Sequence, residues 1–133
     1  MTESTQQFFT ACPESVGEAR DFATDTVCAW GRSDRAEDIR LCVSELASNA
    51  LRHGTIPGRG FLVRLDADDE GVGVEVHDSR RQQPSLRRPA DTDTSGRGLI
   101  LVAALCDGWG VEHREATGKV VWAYFKTGPA AAP

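Results

Sequence analysis

An α+β fold is predicted, a two-layer sandwich with helices on one face of a largely antiparallel sheet. Three observations carry the prediction. Periodic segments occur in the order strand, helix, helix, hairpin, long loop, helix, hairpin. Two hairpins supply antiparallel neighbours. Three helices are too few to cover both faces of a sheet. The 133 residues are enough for one compact core and too few for two ordinary domains.

Residues 6–11 read as a short strand. Pro13 suits the first turn of a helix, where its missing N–H costs nothing. Val16, Ala19, Phe22, Ala23, Val27 and Trp30 recur at helical spacing, and Gly31 ends the helix. Ser33 or Asp34 is expected to cap the second helix, with Asp34 and Glu37 spaced as a capping box. Its apolar stripe is Ile39, Val43, Leu46 and Ala50. It is expected to run to His53 and stop at Gly54, with Pro57 and Gly58 in the loop.

Residues 61–66 and 72–78 alternate as strands around a turn at Asp68, Asp69, Glu70 and Gly71. Residues 79–95 are almost without apolar side chains and hold Pro84 and Pro89; a connection this long is either disordered or a functional lid. Gly96-Arg97-Gly98 opens the third helix, with Leu99, Val102, Ala103 and Cys106 inward and Gly108 closing it. Residues 109–114 and 119–126 form a last hairpin around Thr117-Gly118. The expected organisation is one domain over 1–127, with a disordered tail over 128–133.

The net charge of −5 gives no electrostatic basis for gripping a phosphate backbone, so nucleic-acid binding is not expected. Arg80, Arg81, Arg87 and Arg88 cluster locally and read as a solvated loop. Cys12, Cys28, Cys42 and Cys106 are spaced neither as zinc ligands nor as a redox pair, so buried free thiols and a reducing cytoplasm are expected. The polar start lacks the basic flank and apolar stretch of a signal peptide, and no run is long enough to span a bilayer. His77 and His113 read as surface residues, and Trp30, Trp109 and Trp122 as core or interface aromatics.

Three places can carry chemistry. At about 100° per residue, Glu45, Asn49 and Arg52 share a narrow stripe beside the apolar face of the second helix, with His53 at its border. A carboxylate and an amide there could hold a metal with hard oxygen ligands and position a nucleophile; a solvated helix flank is the plain alternative. Asp78 alternates in phase with Val72, Val74 and Val76, so it either faces the core or begins the turn after a strand ending at Val76. Facing the core, it could accept from an exocyclic amine such as that of adenine. Gly96 and Gly98, just before an apolar helix, allow close backbone approach to an anion, though a loop needing unusual dihedrals has the same composition. No complete dinucleotide fingerprint and no Walker-type loop occurs.

Together the three resemble the histidine-kinase-like (GHKL) ATPase superfamily. The run Glu45-Leu46-Ala47-Ser48-Asn49-Ala50-Leu51-Arg52-His53-Gly54 is similar to its N box, Asp78 stands where its adenine-recognising aspartate stands, and Ser95 to Leu99 resembles the glycine box after its ATP lid. The resemblance covers nearly the whole chain. It implies the Bergerat-type ATP-binding fold, with a mixed, mostly antiparallel sheet. Size and the late Lys119-Val120-Val121-Trp122-Ala123 segment make the chain similar to small bacterial anti-sigma factors and serine-protein kinases.

The resemblance also implies roles for individual residues. Asn49 ligates magnesium. Glu45 is the general base or positions the attacking hydroxyl. Arg52 and His53 belong to the nucleotide site, and Asp78 accepts from the adenine amine. Gly96, Arg97, Gly98 and Leu99 lie along the phosphates, with Arg97 a charge clamp; residues 79–95 are the lid. Two positions depart from the family pattern: Ser79, Arg80 and Arg81 follow Asp78 in place of glycines, and Val120 stands near where a threonine assists adenine through water.

The expected function is an ATP- and magnesium-dependent serine/threonine protein kinase acting on a small regulatory partner protein of anti-anti-sigma type, one that also sequesters a sigma factor and forms a homodimer. The alternative is a nucleotide-gated binding module with little catalysis. A free-standing histidine kinase is not expected, because no phosphoacceptor helix pair precedes the domain in this sequence.

Overall fold

The strands are β1 (Glu3–Thr10), β2 (Gly60–Ala67), β3 (Gly71–Asp78), β4 (Gly108–Arg114) and β5 (Gly118–Lys126). Among the described residues they form one sheet in the order β1-β2-β3-β5-β4, and all four pairings are antiparallel. The computed structural model describes residues 2–54, 59–78, 100–114 and 118–128. Within them, α1 (Glu14–Ala29) and α2 (Ala36–Asn49) are the long helices; residues 100–105 are also helical.

Alternation assigns the two faces of the sheet. Ala67, Leu65 and Val63 on β2 stand beside Val72, Val74 and Val76 on β3, which stand beside Phe125, Ala123 and Val121 on β5. This inner face packs with Ala19, Ala23 and Val27 of α1 and with Ile39, Val43, Leu46 and Ala47 of α2 into one core. Burying a side chain of this size stabilises by roughly 1.5–3 kcal/mol. Phe9 stacks on Phe61 at 5.6 Å and meets the edge of Phe22 at 5.9 Å, which ties β1 to both layers.

Helix α1 ends as its glycine predicts. Gly31 has φ 75°. Its N–H bonds to the Cys28 carbonyl at 3.1 Å, and the Arg32 N–H bonds to the Val27 carbonyl at 2.8 Å. This is a Schellman motif, which needs a left-handed residue where glycine is favoured.

Four local expectations are corrected. Strand β1 begins at Glu3 rather than residue 6, because an edge strand pairs through its backbone and can carry polar side chains on exposed positions. The capping box is absent: Ser33–Arg35 form a 3₁₀ turn before α2 without a side-chain cap, and Asp34 Oδ2 accepts from the Gly128 N–H at 3.2 Å. Ala103 is exposed, while Val102 is buried and Leu105 and Cys106 pack partly on the core. All four thiols are free, as expected, but only Cys42 is fully buried and Cys28 is exposed, because it points off the stripe of α1 that meets the core. The start of the third helix and the tail beyond 128 lie outside the described residues. No helix among the described residues is long and apolar enough to cross a membrane.

Candidate functional site

Two buried or half-buried arginines fix the direction of α2. Arg32 donates to Thr127 Oγ1 at 2.9 Å and to the Asp68 carbonyl. Arg35 donates to the carbonyls of Lys126 at 3.0 Å and Leu105 at 2.6 Å. These acceptors mark the end of the sheet where β3 begins and β5 stops, so α2 starts there. It extends about 21 Å at 1.5 Å per residue, close to the span of an eight-residue strand. Its C-terminal extension, a single π-helical turn at Ala50–Gly54, contacts β2 and β3. The later half of α2 is thus brought toward the opposite end of the sheet, where β3 finishes at Asp78.

Glu45 and Asn49 are half-buried on that half of the helix, beside the buried Cys42, Leu46 and Ala47. Burial pushes the Cys42 thiol well up, with Cys106 and the Glu45 carboxylate adding to the shift. Arg52 is exposed in the π turn, and His53 lies in the same turn. Such one-turn π segments recur where a helix flank carries function.

The fold decides between the two orientations open to Asp78. Strand β3 continues through it, Asp78 pairs with Phe61, and it is 4 % exposed. A carboxylate so placed on the inner face requires a compensating charge or donor. Lys119 Nζ lies 3.9 Å from its Oδ2. The family pattern sets the departure at Val120, but Val120 pairs with His77 on the outer face. Lys119 is the inner-face β5 residue nearest the Asp78 end of the sheet. Counting back in twos from Phe125, Ala123 and Val121 would have found it.

The outer face carries its own features. Trp122 lies over Gly110, where an added Cβ would come within 2.7 Å of the indole. His77, half-buried, is 2.7 Å from Glu75 Oε1 through Nε2. A cavity of about 280 Å³ opens there between Trp122 and Tyr124, with Asp66, Glu75 and Glu112 around it. None of the candidate residues lines it, so it is separate from the Asp78 end of the inner face.

The chain matches the histidine kinase-like ATPase domain family over residues 9–125. It belongs to that family. Membership supports ATP binding by this domain. The chain is also similar to anti-sigma F factors of Clostridium acetobutylicum (25 % identical over 116 residues, 76 % of this chain and 80 % of the relative) and Geobacillus thermodenitrificans (28 % over 121 residues, 79 % and 82 %). A third, from Clostridium beijerinckii, is 25 % identical over 99 residues, 66 % of this chain and 68 % of the relative.

Among the described residues no group of three or more His, Cys, Asp and Glu side chains forms a metal cluster. Magnesium is commonly held by one or two side chains together with substrate phosphates, and the hard oxygens of Asn49 and Glu45 fit that pattern. Gly96, Arg97, Gly98 and Leu99, with the expected lid 79–95, lie outside the described residues.

Proposed function

We propose that this chain is an ATP- and magnesium-dependent regulator of anti-sigma type that phosphorylates a serine or threonine of a small partner protein. One observation supports the reading most strongly. Asp78 is buried on the inner face at the end of β3, and α2 brings the Glu45–Asn49 flank toward that same end. Asp78 would accept from the adenine amine. Asn49 would give its amide oxygen to magnesium, which when bound supplies charge neutralisation at the phosphates. Glu45 would orient or deprotonate the partner's hydroxyl. Arg52, His53, Gly96, Arg97, Gly98 and Leu99 complete the nucleotide site, and 79–95 acts as a lid within a single domain over 1–127.

The partner class comes from the relatives' printed name, anti-sigma F factor. An anti-anti-sigma-like substrate and a sigma factor are the proposed partners, in the cytoplasm, with the chain as a homodimer. Replacement of the glycines after Asp78 by Ser79, Arg80 and Arg81 favours a second reading, a nucleotide-gated binding module. The deciding experiment is capture of partners with and without Mg-ATP, followed by single-turnover transfer from γ-labelled ATP. Label on a captured partner supports the kinase; ATP-dependent capture without label leaves the module.

A further inference from the structure

We propose that Lys119 is a specificity-determining residue of the nucleotide site, whose ammonium holds the Asp78 carboxylate in the ionised, acceptor-only form that takes an adenine amine and rejects guanine. This rests on the reading of Asp78 as the adenine contact.

The strand register carries the argument. Val120 pairs with His77, so the next positions outward, Lys119 and Asp78, lie across from each other on the inner face. That face of β5 continues with Val121, Ala123 and Phe125, so Lys119 places a charge at the end of an apolar row. Its Nζ is 3.9 Å from Asp78 Oδ2, and the two side chains are 22 % and 4 % exposed. At that distance the interaction is coulombic rather than a hydrogen bond. The ammonium therefore acts on the carboxylate through space and favours its charged form.

Two effects on Asp78 oppose each other. Burial favours the neutral acid, while a cation within about 4–6 Å favours the carboxylate. The outcome decides base recognition. An ionised carboxylate only accepts, so it complements the exocyclic amine of adenine and meets the guanine carbonyl acceptor against acceptor. A neutral acid has an O–H and can donate to that carbonyl. Removing the ammonium therefore weakens discrimination as well as affinity. A lysine that only offset a buried charge would affect stability and leave the ratio of affinities alone.

The test compares Mg-ATP and Mg-GTP dissociation constants for the full chain and for Lys119→Gln, Lys119→Met, Lys119→Arg and Asp78→Asn, with each unliganded melting temperature recorded. Both uncharged variants are expected to lower the ATP-over-GTP preference by roughly tenfold or more, because a site that only accepts hydrogen bonds discriminates strongly against a ligand that presents an acceptor there. Lys119→Arg is expected to restore the preference, since it keeps the charge. If either uncharged variant folds and keeps the wild-type ratio while Asp78→Asn loses it, the proposal for Lys119 is overturned and the adenine role of Asp78 stands. If Asp78→Asn binds both nucleotides as the wild type does, the adenine reading and the proposal built on it both fail.

Discussion

Arg35 Nη1 donates to Asp107 Oδ2 at 3.0 Å, joining the start of α2 to the turn between the helical segment 100–105 and β4. The same guanidinium reaches Asp38 at 2.9 Å and the carbonyls of Leu105 and Lys126, and it lies 5.4 Å from the Phe125 ring centroid. A planar fork with five donors can serve these directions together; an ammonium cannot. The segment that Arg35 secures is the one that continues directly from the glycine-rich run 96–98.

Arg35→Lys is therefore expected to destabilise the fold by roughly 1–3 kcal/mol, through lost hydrogen bonds to groups that remain partly buried. The measurement is urea unfolding, with a lower midpoint at an unchanged slope. A midpoint equal to the wild type's would show that the four hydrogen bonds are replaced without loss.

Asp68 gives a pH signature. Its Oδ1 accepts from the Glu70 N–H at 2.9 Å, the Gly71 N–H at 2.8 Å and the Tyr124 hydroxyl at 3.0 Å. The Glu70 and Gly71 amides, then Tyr124, hold its carboxyl below the ordinary carboxylate range. A depressed folded value means that the stabilisation is complete above the unfolded value near about 4, and is lost as pH falls through the folded value. The melting-temperature gap between wild type and Asp68→Asn is expected to be widest at about pH 6–7 and to narrow below about pH 4. A gap constant across that range would remove the carboxylate charge from the explanation. The exposure of the group keeps the effect small.

The thiols should separate kinetically. Cys28 is exposed, whereas Cys42 is fully buried and its thiol is pushed well up by that burial. Reactivity requires both access and thiolate. Treatment of the native protein with a disulfide reagent at about pH 8, followed by peptide mapping, is expected to label Cys28 promptly and Cys42 only as the chain unfolds. Prompt labelling of Cys42 would mean that α2 leaves the sheet readily, contrary to its packing against β3 and β5.

Glu45 and Asn49 lie one helical turn apart and should fail differently when removed. Asn49→Ala is expected to weaken magnesium-dependent ATP binding, read by titration. Glu45→Ala is expected to retain most ATP affinity and to slow transfer to a captured partner by ~10²- to 10⁴-fold, the usual contribution of a positioned base. Transfer at the wild-type rate would leave Glu45 as a helix flank residue with no part in catalysis.

Much of the architecture could be read from periodicity. The stripe of Ala19, Ala23 and Val27 is buried as its spacing requires, and the alternation of β3 carried Asp78 to the inner face. Both depend on side chains that report burial directly. The start of β1 could not be read this way, because its pairing with β2 uses backbone groups that every residue possesses. The expected cap of α2 failed for a related reason. Asp34 has a choice of donors, and the Gly128 amide arrives from the far end of the chain.

Spacing along a regular backbone sets the alternation of strands and helices, the apolar faces and the residues able to bind or react. Tertiary structure alone decided which of those residues meet. Asp78 and Lys119 are forty-one positions apart in number, and only the register of β3 on β5 sets an ammonium beside that carboxylate. Register is a property of two strands and of the core beneath them, so a one-residue slip would have turned Lys119 outward and left Val120 in its place.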